Sequence, residues 1–213
     1  GTAIIYQDKA TVDNTPDTPT PFDDEGNGTG NYATLNSLHK GANATLSNGN
    51  LQLVNTTTWG TTIPTIGMSS GKWYAEVTLS GTITYPAFGV SSIDGAYVTS
   101  YMGQDADSYV WYAYSTAGLY TAGDYTDQTG DWVVDCVAGD VIGLALDMEN
   151  GTLKYYKNGT LLDGGNAFTG ITGTQFFATC GYSQTEDWNF GQRPFAYTNA
   201  GVDRPAADYL SLN

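Results

Sequence analysis

The sequence predicts an all-β protein, a two-sheet antiparallel β-sandwich with an extended N-terminal arm. Three observations predict it. First, residues 140–162 carry strand-turn-strand signals in succession, with Asn150-Gly151 and Asn158-Gly159 as turn pairs that tolerate positive φ. Second, Lys72-Trp-Tyr-Ala-Glu-Val-Thr-Leu79 alternates, placing Trp73, Ala75, Val77 and Leu79 on one face and Tyr74, Glu76 and Thr78 on the other. Third, no window shows the 3.6-residue periodicity of an amphipathic helix. Many short strands joined by turn chemistry read as a sandwich.

Taken in chain order, Thr2-Ala-Ile-Ile-Tyr6 is a short strand-like run with no nearby hairpin partner. Residues 13–31 follow with three prolines between Pro16 and Pro21 and an acidic, glycine-rich segment, Asp23-Asp24-Glu25-Gly-Asn-Gly-Thr-Gly. Such a stretch forms no regular element, so residues 1–31 read as an extended arm and 32–213 as the sandwich. The arm is either a solvated linker or a carrier that docks the strand at residues 1–12 onto a sheet edge or a neighbouring subunit. Leu46-Ser-Asn-Gly-Asn-Leu51 is a turn leading into an alternating Leu51-Gln-Leu53. Further strands are expected at Phe88–Ser91, Tyr109–Tyr114, Val141–Met148, Thr152–Lys157, Thr160–Leu162, Phe176–Cys180 and Trp188–Phe190.

The 213 residues suffice for one substantial core, and 27 Gly with 16 Tyr suit strands and tight turns. Lys and Arg number 7 against 22 Asp and Glu, a formal charge of −15. That surface repels phosphate backbones, so no nucleic-acid partner is expected. It fits solubility in a saline or divalent-rich medium, or a cation site. No apolar run approaches a membrane span, and no charged-then-apolar leader is present, so neither membrane insertion nor an intact secretory precursor is expected. A processed product or a piece of something longer is. Cys136 and Cys180 are the two cysteines. A single disulfide and a pair of small buried apolar side chains both fit them.

Several motifs carry a family resemblance. Gly71-Lys-Trp-Tyr-Ala-Glu-Val-Thr-Leu79 resembles the Gly-Lys-Trp-Tyr-x-Glu-Val strand of SPRY domains, and Phe88-Gly-Val90 is similar to the next family strand. Gly139–Asp147 with Gly151–Gly159 resembles the signature hairpin, and Trp188-Asn-Phe-Gly-Gln-Arg-Pro-Phe195 the closing strand. The match runs from about Ala33 to Tyr197 and implies a bent, concanavalin-like jelly-roll sandwich. The combination Asp17-Thr-Pro, Asn31–Asn36, Ala44–Leu51, Ile66–Trp73 and Asn189–Phe195 resembles SPRY-type domains of bacteriophage structural proteins such as tail fibres and appendages. That likeness implies a virion or extracellular location, oligomeric assembly, and partnership with other virion subunits through the arm. The chain departs from the family in an insertion-like stretch, Ser91 to Ser108, and in the tail past Tyr197.

The aromatic cluster Tyr97, Tyr101, Tyr109, Trp111, Tyr112, Tyr114, Tyr120 and Tyr125 is interspersed with Asp94, Asp105, Asp107, Asp124, Asp127 and Asp131. Flat rings match the apolar C–H faces of sugars, and carboxylates match their hydroxyl rims. Tyr97, Tyr101, Trp111, Tyr112, Tyr120, Asp105, Asp107 and Asp124 are therefore the candidate ligand-binding residues, for a host-surface glycan. The alternative is that the rings fill two sheet faces while the Asp residues serve turns. No cofactor is required, although calcium could be held at Asp23-Asp24-Glu25 or Asp105/Asp107.

No catalytic residue is expected. A glycan-cleaving enzyme would need two carboxylates across a cleft, and Asp147 with Glu149 is the nearest pair. They sit at a hairpin end, where solvated acids are usual. His39, the single histidine, reads as a surface side chain rather than a base. The expected function is a non-enzymatic, virion-associated structural and adhesive subunit. The alternatives are a secreted or surface carbohydrate-binding module and, below it, a glycan-cleaving enzyme.

Overall fold

The computed structural model describes residues 31–96, 98–197 and 208–212. The arm through residue 30, its Thr2–Tyr6 strand, the Asp23-Asp24-Glu25 triplet and Tyr97 lie outside the described residues. The expected all-β architecture is present as two sheets. In chain order the strands are β1 (Ala44–Ser47), β2 (Gln52–Asn55), β3 (Lys72–Ser80), β4 (Ala87–Ser91), β5 (Ser108–Tyr112), β6 (Leu119–Thr121) and β7 (Asp124–Asp127). Then come β8 (Val141–Asp147), β9 (Thr152–Lys157), β10 (Thr160–Leu161), β11 (Phe176–Thr179), β12 (Gln184–Asn189) and β13 (Leu210–Ser211).

The eight-stranded sheet runs β1-β2-β12-β3-β8-β9-β10, and the five-stranded sheet runs β11-β4-β5-β6-β7. All the ladders are antiparallel except β13, which pairs parallel with the start of β3. β12 reaches Glu76 of β3, and Leu210 and Ser211 take up Trp73 and Tyr74 beyond it. Ala33 N–H donates to the Leu212 carbonyl at 2.9 Å, and Leu212 N–H to that of Phe190 at 2.8 Å. The two ends of the described sandwich therefore meet within the eight-stranded sheet, in line with β12 and beside the start of β3.

Period-two alternation decides which side chains enter the core. On β3, Ala75, Val77 and Leu79 join the inter-sheet core, as the sequence predicts, while Tyr74 faces outward and packs with Ala145, Tyr156 and Phe195. On β5, Trp111 enters the core, while Val110 and Tyr112 face the other way. The Asn158-Gly159 hairpin between β9 and β10 has both residues at positive φ, 51° and 80°, the type I′ geometry that suits the strand twist.

The inter-sheet core stacks Trp188 on Phe190 at 5.2 Å and sets Trp111 against Tyr155 at 5.4 Å. An ionisable side chain sits in it as well. Glu186 of β12 is fully buried and faces the same side as Trp188. Its carboxylate accepts hydrogen bonds from the Thr179 hydroxyl of the opposite sheet at 2.5 Å, the Trp188 indole at 2.7 Å, and the Gln184 amide. It ties the sheets together across the core.

The five-stranded sheet has a second apolar layer on its outer face. Ala87, Val110, Tyr112, Ala178 and Cys180 are covered there by Ile63, Ala96 and Met102. The last two come from the connection between β4 and β5. Cys180 belongs to this outer layer and Cys136 to the inter-sheet core, and both are free. Of the two readings of the cysteines, buried apolar side chains is the one realised.

Candidate functional site

An open pocket of about 230 Å³ lies on the outer face of the five-stranded sheet, lined by Trp59, Tyr101, Tyr112, Tyr114, Tyr120 and Tyr125. Strand alternation places Tyr112 of β5 and Tyr120 of β6 on this face, and Tyr125 of β7 stacks on Tyr120 at 4.7 Å. The β4–β5 connection brings Tyr101 over the sheet, 6.1 Å from Tyr120. The β2–β3 connection brings Trp59, edge-on to Tyr112 at 5.7 Å and to Tyr101 at 6.4 Å. Tyr85 and Tyr182 extend the aromatic surface beyond Trp59, at 6.1 and 5.9 Å. Tyr101 and Tyr125 are exposed, and Tyr112 is buried at the floor.

Sequence reasoning thus found Tyr101, Tyr112 and Tyr120, which come together, and the wider cluster already held Tyr114 and Tyr125. It missed Trp59. That residue sits in a Thr- and Gly-rich loop with no periodic signal. A large aromatic in a stretch unable to form a core strand was the one available cue.

Trp111 needs correction as a ligand residue. It points into the inter-sheet core with no exposure, and its indole N–H donates to the Trp132 carbonyl at 2.9 Å. One residue of offset on a strand reverses the face. Tyr109 shares that inner side, against Phe168 at 5.5 Å. The carboxylates do not line the pocket either. Asp105 Oδ1 accepts from Asp107 N–H at 3.0 Å and from the Ser108 hydroxyl at 3.2 Å, shaping a turn. Asp107 and Asp124 are exposed, and Asp124 adds a small push to the Tyr120 phenol, which burial chiefly raises. Among the described residues, no three His, Cys, Asp or Glu side chains form a metal-holding group.

The phenols of Tyr112, Tyr114 and Tyr120 are held above their ordinary value. Burial, then the neighbouring thiol of Cys180, pushes Tyr112 far above its ordinary value, and burial with Tyr125 pushes Tyr114 up to about 12. The lining is therefore an uncharged aromatic surface inside an acidic protein.

Comparison with known families now bears on this geometry. The family model described as the SPRY domain matches residues 72–193. The chain belongs to the SPRY family. Among solved structures, the SPRY domain of human HERC1 superposes with a TM-score of 0.56 at 22% identity, covering 68% of this chain and 91% of that one. The TRIM65 PSpry domain gives 0.59 at 15% identity, with 74% and 89% covered. The stonustoxin structure gives 0.57 at 20% identity, and the match spans 74% of this chain but 27% of the toxin chain. These likenesses share the fold. Within this SPRY domain, five of the pocket tyrosines fall inside the matched span, whereas Trp59 precedes it.

The acids at the SPRY hairpin end have a structural use. Asp147 Oδ1 accepts from the Glu149 and Asn150 backbone N–H groups at 2.9 and 3.0 Å, and Oδ2 from the Asn150 amide at 2.8 Å. Burial alone would raise its carboxyl, but these bonds and Lys72, 3.7 Å away, hold it below the usual range. Removing such an acceptor takes three charge-assisted hydrogen bonds from the turn. Asp147→Ala is expected to cost about 1–3 kcal/mol in urea unfolding, with a smaller loss for Asp147→Asn. His39 is half-buried rather than a free surface group. Its Nε2–H donates to the Ala96 carbonyl at 2.7 Å and pins the Ser91–Ser108 stretch.

Proposed function

We propose that this SPRY domain is a non-enzymatic recognition subunit, carried on a virus particle, that engages a host-surface glycan or a group displayed on one. The observation that carries this reading is the open pocket with six aromatic side chains and no carboxylate in its lining. Rings in such a layer offer large rigid contact area at low conformational cost. The assignment of Asp147 to a turn favours recognition over glycan cleavage. The virion setting rests on the phage-like motifs at Asn31–Asn36, Ala44–Leu51 and Asn189–Phe195. In this reading the N-terminal arm joins the domain to neighbouring subunits in an oligomer.

The test is binding of the labelled full chain to a broad glycan array, with calcium and with chelator. A defined hit weakened at least about tenfold by Trp59→Ala or Tyr125→Ala, roughly 1.4 kcal/mol, is the expected result. Both residues pack on neighbouring rings, so each variant's thermal midpoint is measured alongside and binding is compared at temperatures where both are folded. Unchanged binding by both folded variants would remove the pocket from the mechanism. Deleting residues 1–12 separates a virion subunit from a free carbohydrate-binding module: the first loses assembly and keeps its fold, the second binds as a monomer and needs no arm.

A further inference from the structure

The four rings Trp59, Tyr101, Tyr120 and Tyr112 form a closed circuit. Successive centroids are 6.4, 6.1, 6.0 and 5.7 Å apart. The centre of such a circuit lies within about 6 Å of every ring, the reach of cation–π attraction. Two of the lining hydroxyls already donate within the protein. Tyr112 donates to the Met102 carbonyl at 2.9 Å and Tyr120 to that of Gly123 at 3.1 Å. Those two phenols can still accept but have no proton left to donate, so a sugar lodged here would lose donors to its own oxygens on leaving water.

Charge points the same way. No Lys or Arg among the described residues lines the pocket, Asp124 lies beside Tyr120, and the whole chain carries −15. Nothing in the lining would repel a cation or hold an anion. At about 230 Å³ the space falls below the roughly 300–1,000 Å³ of drug-sized sites, so it suits one compact group rather than an oligosaccharide.

We infer that the pocket is an aromatic cage for an alkylated ammonium group of the choline type, displayed on the host-surface polymer. This inference rests on the recognition reading above and names the group that reading leaves open. An ammonium wrapped in methyl groups needs no hydrogen-bond partners, binds ring faces, and gains from the acidic surroundings.

The experiment titrates the full chain with tetramethylammonium, choline, phosphocholine and the neutral isostere 3,3-dimethylbutan-1-ol, following chemical shifts. Choline is expected to bind about tenfold more tightly than the isostere, and more tightly than phosphocholine, whose phosphate meets an acidic surface. Trp59→Leu, which keeps apolar bulk and removes the π face, should abolish that preference at an unchanged thermal midpoint. Equal affinity for choline and its isostere overturns the inference. So does tighter binding of a trimethyllysine peptide than of choline, which would make the occupant a protein tail. If no ammonium binds while a glycan-array hit is lost with Trp59→Ala, the cage fails and the recognition reading survives. If both arms are blank, both fail.

Discussion

Raising the pH from 5 to 8 is expected to destabilise the folded domain by about 3 kcal/mol, and Glu186→Gln to remove most of that loss. Burial pushes the Glu186 carboxyl from 4.5 up to about 7, against the bonds donated by Thr179, Trp188 and Gln184, with Asp187 adding a smaller push upward. Between those values the folded chain holds a proton that the unfolded chain has released, so stability falls as pH rises, by up to about 1.4 kcal/mol per unit. The loss begins near 4.5 and is complete somewhat above 7. Asp140 and Asp147 act in the opposite window. Their carboxyls are held below the ordinary 3.8, so their contribution is present above that value and is lost as pH falls through their lowered values.

A glutamine suits the site of Glu186 sterically and in its bonding. Its carbonyl can accept from the Trp188 indole while its NH₂ faces Thr179 Oγ1 and the Gln184 amide, which turns over to present its carbonyl, a buried oxygen otherwise lacking a partner. Urea unfolding of both proteins at pH 5 and 8 measures the difference. Parallel pH slopes for the two would show that Glu186 is not the titrating group.

Trp111→Ala should cost about 3–5 kcal/mol, the range for truncating a large aromatic in a packed core. Its ring contacts Tyr155 and Trp132, at 5.4 and 6.3 Å, and its N–H serves the Trp132 carbonyl. Against a typical total of 5–15 kcal/mol, that loss leaves a marginal fold. Trp111→Phe should cost less and leave ligand affinity at wild-type level once folded. Loss of affinity in folded Trp111→Phe, larger than its loss of stability explains, would restore Trp111 to the binding site.

The strands with apolar alternation were legible from their residues. β9 falls on the expected Thr152–Lys157, and β3 and β8 differ from expectation by one residue at an end. What escaped has physical reasons. β6 and β7 are short, and Asp124-Tyr-Thr-Asp127 lies exposed at a sheet edge, so neither burial nor propensity marks it. The first half of β12 was hidden because an inward position carries Glu186, and an acid in a core runs against the pattern that sequence reading relies on. In the pocket, Tyr112 and Tyr120 were legible as ring residues. Their face was not, since Trp111 beside them points the other way. Trp59 reaches the site only through long-range folding.

The placement of the two cysteines gives the fold a pair of internal reporters. Both thiols are buried, with burial pushing each up to about 12, so neither presents a reactive thiolate at neutral pH. Cys180 lies under the outer layer, with the Met102 N–H 3.4 Å from its sulfur, whereas Cys136 sits between the sheets. A thiol reagent would therefore reach Cys180 when the loop above the aromatic layer lifts, and Cys136 when its own loop, between exposed Asp135 and Val137, opens. The ratio of their labelling rates separates opening of the outer aromatic face from opening at the rim of the sandwich, with no introduced label.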